Sequence, residues 1–329
     1  HILNATDEIV GNYFSFVLHD SEHEEDLDGS KTDRQRNELK INNSSEAWLQ
    51  AKEGDLLTYQ WKFRLGSNVP SAPGKFFHIF QIKATQGGES GSPLLSYTIS
   101  GGKLLFRHTS IGANMDNVSV LAECDVNQLK EKWLSAEVTV LNKDEGYVVM
   151  SLRNLETGEL LMTYAGQQDM WRRPEVTDPE TGKIVEGTEP AVSKQINRPK
   201  WGIYRGVDMS DPVKYAEVEI GFTDFTVIRE NAEAPLPVCF SHTAGEGVEV
   251  LTYVNPSNVP LTQAKVIAAY YGEDDVLLAV NVQDIAIEAR EELQVTMERK
   301  VPDAVRCRYF MLESMETLRP LCLPTDVPL

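Results

Sequence analysis

Residues 198–206 combine three cations, a tryptophan and a tyrosine within nine positions. Such a set can bind an anion and move a proton, because a phenol hydroxyl both donates and accepts hydrogen bonds. If the segment is a strand, Lys200 and Tyr204 share one face, with Gly202 between them. Bare backbone at Gly202 would suit the close approach of a flat ligand. An ordinary strand with a surface tyrosine explains the pattern equally well. The opposite face carries Trp201, Ile203 and Arg205.

Residues 33–40 also alternate as a strand, and one face carries three cations and a carboxylate. These residues are Arg34, Arg36, Glu38 and Lys40. A face of this kind cannot be a buried hydrophobic face, because burying charges without partners is costly. It is either a solvated edge or a surface that binds anions.

Residues 75–83 are apolar and aromatic enough for a central strand, but His78, Gln81 and Lys83 interrupt them. His78 and Gln81 lie three positions apart, so a regular strand directs them to opposite faces. Either a β-bulge brings them to the same face, or only one of them meets a ligand. Gln81 is the stronger candidate, because it shares its face with Lys83.

These three stretches resemble strand motifs of jelly-roll polysaccharide lyases, which include alginate lyases, heparin lyase I and glucuronan lyases. Residues 36–40 are similar to the alginate lyase motif Arg-x-Glu-x-Arg, with lysine at the last position. Residues 81–83 resemble the motif Gln-Ile-His, with lysine in place of histidine. Residues 200–204 resemble Lys-Ala-Gly-Val-Tyr, and residues 202–205 resemble the Gly-Ile-Tyr-Arg of heparin lyase I.

The resemblance implies β-elimination on a uronic-acid-containing polysaccharide, with Tyr204 as base and acid. A tyrosine can fill both roles when nearby cations lower the pKa of its phenol. By the same resemblance, Gln81, Arg36 and His78 neutralise the uronate carboxylate, and His78 is alternatively a second base. The expected substrate-binding residues are Arg34, Lys40, Lys83, Lys200, Arg205, Trp171, His108 and His19. Arg107 is a further candidate, but as the neighbour of His108 on a strand it should point to the opposite face of the sheet.

The formal net charge of −19 over 329 residues argues against nucleic acid and anionic membranes as partners. It would also repel an acidic polysaccharide, but salt screens that repulsion beyond about 8–10 Å. Local basic clusters can therefore still bind such a partner. The chain begins with histidine rather than methionine. We expect a removed signal peptide, an extracellular or cell-surface location in a bacterium, and a larger multimodular protein.

The spacing of short apolar runs and turn residues predicts an all-β protein. The predicted strands are 56–65, 76–83, 94–99, 103–108, 119–124, 133–141, 147–152 and 217–229. With the resemblance, the pattern predicts a concanavalin-like β-jelly roll over residues 1–230. Residues 165–198 break the regular spacing of strands and are predicted to form a long polar loop. Trp171 in this loop is placed either as a wall of the groove or as packing, with equal weight.

A short Ala/Pro/Glu segment near residue 235 predicts a domain boundary. Beyond it, residues 238–329 alternate as six or seven strands, the last at 318–323, which suits an immunoglobulin-like sandwich. This stretch resembles small β modules of Gram-positive surface enzymes, and we expect a structural or spacing role. Cys307 and Cys322 can pair if their strands are neighbours, but free buried thiols fit the spacing better.

No cofactor is expected, although the acidic residues 22–28 can form a structural calcium loop. Two other functions remain open from the sequence. A non-catalytic, lectin-like carbohydrate-binding module would use the same sandwich, since fold does not determine function. A glycoside hydrolase would need two carboxylates facing each other across a groove, and no strand shows such a pair.

Overall fold

The computed structural model shows an all-β protein, and none of the residues it describes lies in an α-helix. It describes residues 1–20, 26–85, 92–110, 118–172, 175–182, 184–186, 195–208, 215–230, 238–244, 247–255, 260–289, 291–299, 301–318, 320–322 and 324–329. Their helical segments are short 3-10 turns, and none has the length and apolar character needed to cross a membrane. The chain divides into two compact units, residues 1–162 with 168–230 and residues 163–167 with 231–329.

Two seven-stranded sheets form the first part of the chain. One sheet has the order β1 (Ile2–Asp7), β2 (Gly11–Leu18), β16 (Val218–Glu230), β5 (Leu56–Leu65), β10 (Trp133–Leu141), β11 (Gly146–Asn154) and β12 (Leu160–Gln168). The other has the order β3 (Leu27–Asp28), β4 (Lys31–Lys40), β15 (Asn197–Gly206), β6 (Phe77–Ala84), β7 (Leu95–Ser100), β8 (Lys103–Thr109) and β9 (Val118–Asp125).

The last two strands of this part, β15 and β16, each lie between strands from its beginning. β15 pairs with β4 and β6, and β16 pairs with β2 and β5, all antiparallel. Strands that are distant in sequence are therefore paired in both sheets, which gives the β-jelly roll that the sequence predicted. The consequence for function is that three distant stretches of sequence become neighbours in one sheet.

Aromatic side chains from both sheets form the core between them. Trp61 on β5 stacks on Phe80 of β6, with ring centroids 4.4 Å apart, and meets Trp201 of β15 at 6.2 Å. Large aromatic rings bury extensive apolar surface and favour such stacked and edge-on contacts. Because Trp201 and Ile203 face this core, the alternate residues of β15 face outward.

The predicted loop between residues 165 and 198 contains a small hairpin. β13 (Glu175–Thr177) pairs with β14 (Ile184–Glu186), and a turn that starts at Asp178 joins them. The Asp178 carboxylate accepts backbone N–H bonds from Glu180 and Thr181, as aspartate does in tight turns.

The second unit contains a three-stranded and a four-stranded sheet. Their orders are β17 (Val238–Ala244), β18 (Val248–Val254), β21 (Glu292–Glu298), and β20 (Leu277–Ile287), β19 (Leu261–Tyr271), β22 (Arg306–Leu312), β23 (Thr325–Pro328). Tyr253 from the first sheet and Tyr309 from the second belong to one buried cluster. The immunoglobulin-like assignment stays a prediction.

Two sequence expectations for this unit can be compared with the structure. The predicted strand at 318–323 is wrong, because among its described residues (318, 320–322) Pro320 alone forms a bridge, which is isolated, and the last described strand is β23. Cys307 and Cys322 do not form a disulfide with each other, as expected, and Cys307 is buried whereas Cys322 is half-buried. The segment around residue 235, predicted as the linker, lies outside the described residues.

Arg205 is buried among hydrogen-bond acceptors, with 2% of its surface exposed. Its Nε donates to Gln35 Oε1 at 2.8 Å, and its terminal nitrogens donate to the carbonyls of His19, Tyr215 and Ala216 at 2.6 to 3.0 Å. Burial lowers its pKa to about 10. The expectation that Arg205 binds substrate is therefore corrected, because its donors are occupied in connecting three segments of the first unit.

Replacing this arginine tests its structural role. Arg205→Met should lower the free energy of unfolding by about 3–5 kcal/mol, because it leaves several buried acceptors without donors. Urea unfolding measures the loss. Arg64→Met is the matched control, since Arg64 pairs with Asp7 at a partly exposed site and should lose about 1 kcal/mol or less. Equal losses in the two variants would contradict the assignment.

Candidate functional site

The three sequence stretches meet on β4, β15 and β6. In the register of these strands, Tyr204 lies between Arg36 and His78, and Lys200 lies opposite Gln81. Side chains of paired residues on one sheet face are close neighbours. The antiparallel pairing therefore brings the phenol, the imidazole, the amide and the cations together on the face that points away from the core.

A bulge in β6 resolves the question of His78 and Gln81. The pairing of β6 with β7 skips Ile79, which is buried and has no partner residue on β7. One extra residue changes which face the following side chains take. As a result, His78, Gln81 and Lys83 all line the same cleft despite their mixed parity.

Gly202 is required by the backbone of β15 rather than by a ligand. Its φ is +137°, and a Cβ at this position would lie 2.2 Å from the Asn37 carbonyl oxygen and 2.8 Å from the Glu38 Cα. Only glycine readily adopts this conformation and permits this approach. The expectation that Gly202 lets a flat ligand approach is corrected, because its open side meets β4.

The outer face of this sheet forms a cleft of about 280 Å³. Its lining residues are Lys31, Arg34, Arg36, Phe76, His78, Gln81, Lys83, Ser92, Pro93, Ser96, Arg107, Thr109, Val118, Lys200 and Tyr204. Six of these side chains are cationic, and the described lining contains no Asp or Glu. On a chain with net charge −19, this surface is therefore a local basic region.

Two arginines contact Tyr204. Arg34 Nη1 donates a hydrogen bond to the Tyr204 hydroxyl at 3.1 Å, and the Arg36 guanidinium lies 4.2 Å from the centroid of the Tyr204 ring. Asp33 binds Arg34 with two bonds of 2.7 Å, which raises the pKa of Arg34 and holds its guanidinium in place. Phe76 packs on the phenol ring at 4.9 Å.

Glu38 lies beneath the cleft, and its side chain is 3% exposed. Its Oε1 accepts a 2.5 Å hydrogen bond from Gln81 Nε2, and its Oε2 lies 3.4 Å from Lys200 Nζ and 3.2 Å from Arg36 Nε. Burial lowers the pKa of Lys200 to about 8, although Glu38 opposes this shift. Arg36 also pairs with Asp28 at 2.8 Å, so two carboxylates already share its charge.

His78 is half-buried in the cleft, with its ring centroid 6.1 Å from that of Tyr204. Its Nδ1 lies 2.8 Å from the Thr98 hydroxyl, so Nε2 is the ring nitrogen left to meet a substrate. Burial, with added repulsion from Arg107 and Lys200, lowers the pKa of His78 to about 3. His78 is therefore a neutral imidazole at ordinary pH.

Arg107 and His108 separate to opposite faces of β8. Arg107 lines the cleft, whereas His108 is 4% exposed, with its Nε2 2.7 Å from the Asp169 carbonyl oxygen. The expected substrate contact of His108 is thus corrected. The sequence held the signal for this choice, because apolar Leu104 and Phe106 share the parity of His108 and belong in the core.

The remaining predicted residues also fall into two groups, those that line the cleft and those that do not. Lys83 lines the cleft, but Trp171 is 2% exposed and packs in the interior, which corrects its placement in a groove wall. Lys40 is exposed at the end of β4, and His19 is bound to Asp26 at 2.9 Å. Neither is among the residues that the structure shows lining the cleft, and their expected substrate contacts stay predictions.

One group of side chains has the composition of a metal site. His1, His19 and Asp26 each place a ligand atom within 4.8 Å of the others. Two imidazoles do not match the oxygen ligands that calcium prefers, and the hydrogen bond between His19 and Asp26 already explains their proximity. Most of the predicted calcium loop at residues 22–28 lies outside the described residues, so that prediction stays untested.

Several solved structures are similar to this chain at low identity. Family 7 alginate lyase A1-II′, in complex with substrate, is 13% identical over 69% of this chain and 82% of its own, with a TM-score of 0.45. An alginate lyase from Pseudomonas aeruginosa is 16% identical over 69% and 86%, with a TM-score of 0.38. The binding domain of botulinum neurotoxin serotype G is 7% identical over 94% and 79%, with a TM-score of 0.37.

No curated protein matches the chain. A family model described as polysaccharide lyase, however, matches residues 13–226. This range is more than half of the chain and includes β4, β6 and β15 with every residue that lines the cleft. The chain therefore belongs to this polysaccharide lyase family.

Proposed function

We propose that this protein cleaves a uronic-acid-containing polysaccharide by β-elimination in the cleft on β4, β15 and β6. The observation that carries the proposal is the meeting of Tyr204, His78 and Gln81 with six cationic side chains on one concave face. An acidic polymer supplies the negative charge that this face lacks. Because such polymers lie outside the cell, we also propose an extracellular or cell-surface location.

Neutralising the substrate carboxylate is the first requirement of the reaction. The proton on C5 becomes removable only when the adjacent carboxylate is hydrogen-bonded, since negative charge develops there as an enolate. Gln81 can donate its second amide N–H, and Arg107 lies in the same row of the sheet, separated from Gln81 by Ser96. We assign this role to Gln81 and Arg107, with Lys83 at the same end of the cleft.

Proton transfer is the second requirement. We assign the removal of the C5 proton to Tyr204. The electrons of the C5–H bond form the C4–C5 double bond, the C4–O4 bond breaks, and the phenol returns its proton to O4. The hydrogen bond from Arg34 to the phenol oxygen stabilises negative charge on that oxygen during transfer.

The expected roles of Arg36 and His78 change with their surroundings. Arg36 shares its charge with Asp28 and Glu38 and lies over the Tyr204 ring, so we assign it to the phenol rather than to the substrate carboxylate. His78, with its low pKa, does not act as a cation. A group with so low a pKa is a weak base, so we assign the neutral imidazole as a hydrogen-bond partner of the substrate rather than as a second base.

The rival functions make different demands on this cleft. A glycoside hydrolase needs two carboxyl groups facing the scissile bond, and the described lining of the cleft supplies neither. A lectin-like module would bind the same acidic polymer without cleaving it. Turnover therefore separates the proposed lyase from the binding module.

Removing the Tyr204 hydroxyl tests the lyase. The wild type should give the ultraviolet absorbance of an unsaturated product on at least one polymer of a test panel. The panel is glucuronan, alginate, heparin, heparan sulfate, hyaluronan, ulvan and pectate. Tyr204→Phe should reduce that rate by about 10²–10⁴-fold, which is the usual contribution of general acid–base catalysis. Retention of the wild-type rate would contradict the role of Tyr204.

Tyr97→Phe is the matched control for this substitution. Tyr97 lies in the core, and its hydroxyl has no hydrogen-bond partner among the described residues, so its removal should leave the rate unchanged. If no polymer gives absorbance but affinity electrophoresis shows retention, the protein is a binding module.

The protonation of His78 predicts how stability depends on pH. Its folded pKa of about 3 is below the ordinary value of 6.5, so between these values the unfolded chain binds more protons. Stability due to this residue is therefore present above pH 6.5 and is lost as the pH falls toward 3. In denaturant titrations, His78→Gln should show a shallower loss over this range. Parallel curves for the two proteins would contradict the neutral state of His78.

A further inference from the structure

We propose that Glu38 is a positioning residue whose carboxylate fixes the amide of Gln81 with its N–H groups available to the substrate carboxylate. This inference rests on the proposed β-elimination and extends it to a side chain that does not line the cleft. The contact that carries it is the 2.5 Å hydrogen bond between Gln81 Nε2 and Glu38 Oε1.

The orientation of the Gln81 amide follows from the chemistry of its partner. An amide has one accepting end and one donating end, whereas a carboxylate only accepts. Gln81 is 2% exposed and must therefore turn its NH2 group toward Glu38. That group has a second N–H, which a substrate carboxylate can accept. The reverse orientation would set the amide oxygen against the oxygen of Glu38.

The other oxygen of Glu38 joins this contact to the cations of the cleft. Lys200 Nζ and Arg36 Nε lie 3.4 Å and 3.2 Å from Oε2, and the side chains of Lys200 and Glu38 are each 3% exposed. Paired charges at such burial are held in fixed positions, because separating them would leave a buried charge alone. Glu38 therefore connects β4 to its neighbour β15 through Lys200 and, across β15, to β6 through Gln81.

A hydrogen bond of the same kind elsewhere in the first unit can serve as a control. Gln60 Nε2 donates to Glu137 Oε2 at 2.5 Å between β5 and β10, in the sheet that does not form the cleft. Glu137→Gln therefore makes the same chemical change as Glu38→Gln, on paired strands, at a position without the proposed role.

A double-mutant cycle tests whether Glu38 affects catalysis through Gln81. Gln81→Ala should lower kcat/KM by about 10²–10³-fold, the magnitude for losing one donor to a developing oxyanion. Glu38→Gln should cause a loss of similar size, mainly in kcat, because the affected bond strengthens in the transition state. The double variant should be no slower than Gln81→Ala, and Glu137→Gln should match the wild type.

Two results would overturn this inference while the proposed function stands. One is wild-type kcat in Glu38→Gln; the other is a double variant whose loss equals the product of the single losses, which would mean that the two residues act independently. If Glu38→Gln does not fold, Glu38→Asp keeps the charge and withdraws the oxygens, and unchanged kcat in that variant overturns the inference. A wild type that yields no unsaturated product from any polymer overturns the proposed function together with this one.

Discussion

The burial of Trp201 between the two sheets is the constraint on which the site depends. Trp201 contacts Trp61 and Phe80 in the aromatic core, so the strand that carries it cannot rotate or slip without exposing a large apolar surface. Because side chains alternate between the two faces of a strand, Lys200 and Tyr204 then point away from the core. The positions of these two side chains are thus a consequence of core packing, because the strand that carries them is fixed by its buried face.

Concentrating cations on one sheet face creates a second constraint, because like charges at cross-strand positions repel each other. The structure offsets this repulsion with carboxylates at the edges and below the cleft, where Asp33 binds Arg34, Asp28 binds Arg36, and Glu38 serves Arg36 and Lys200. None of these carboxylates is among the described lining residues, so the surface that a ligand meets remains basic. Net charge alone would have indicated the opposite.

The sequence predicted the all-β class, the outward faces of β4 and β15, and most of the cleft, because alternation is a local property of strands. It left open whether a bulge aligns His78 with Gln81, and could not locate that bulge at Ile79, since an extra residue is visible only against the partner strand. Arg205 was misjudged for a different reason. Alternation already placed it on the core face, but an arginine is assumed to be exposed unless acceptors surround it, and those come from distant segments.

A neutral histidine within this basic cleft follows from the same electrostatics. The field of Arg107 and Lys200, together with burial, disfavours a further positive charge on His78, so the cations that would attract the polymer also keep the imidazole unprotonated. A neutral ring nitrogen can accept a hydrogen bond, whereas a protonated one cannot. The basic lining would then serve the proposed chemistry twice, once by holding the uronate and once by preserving an acceptor beside it.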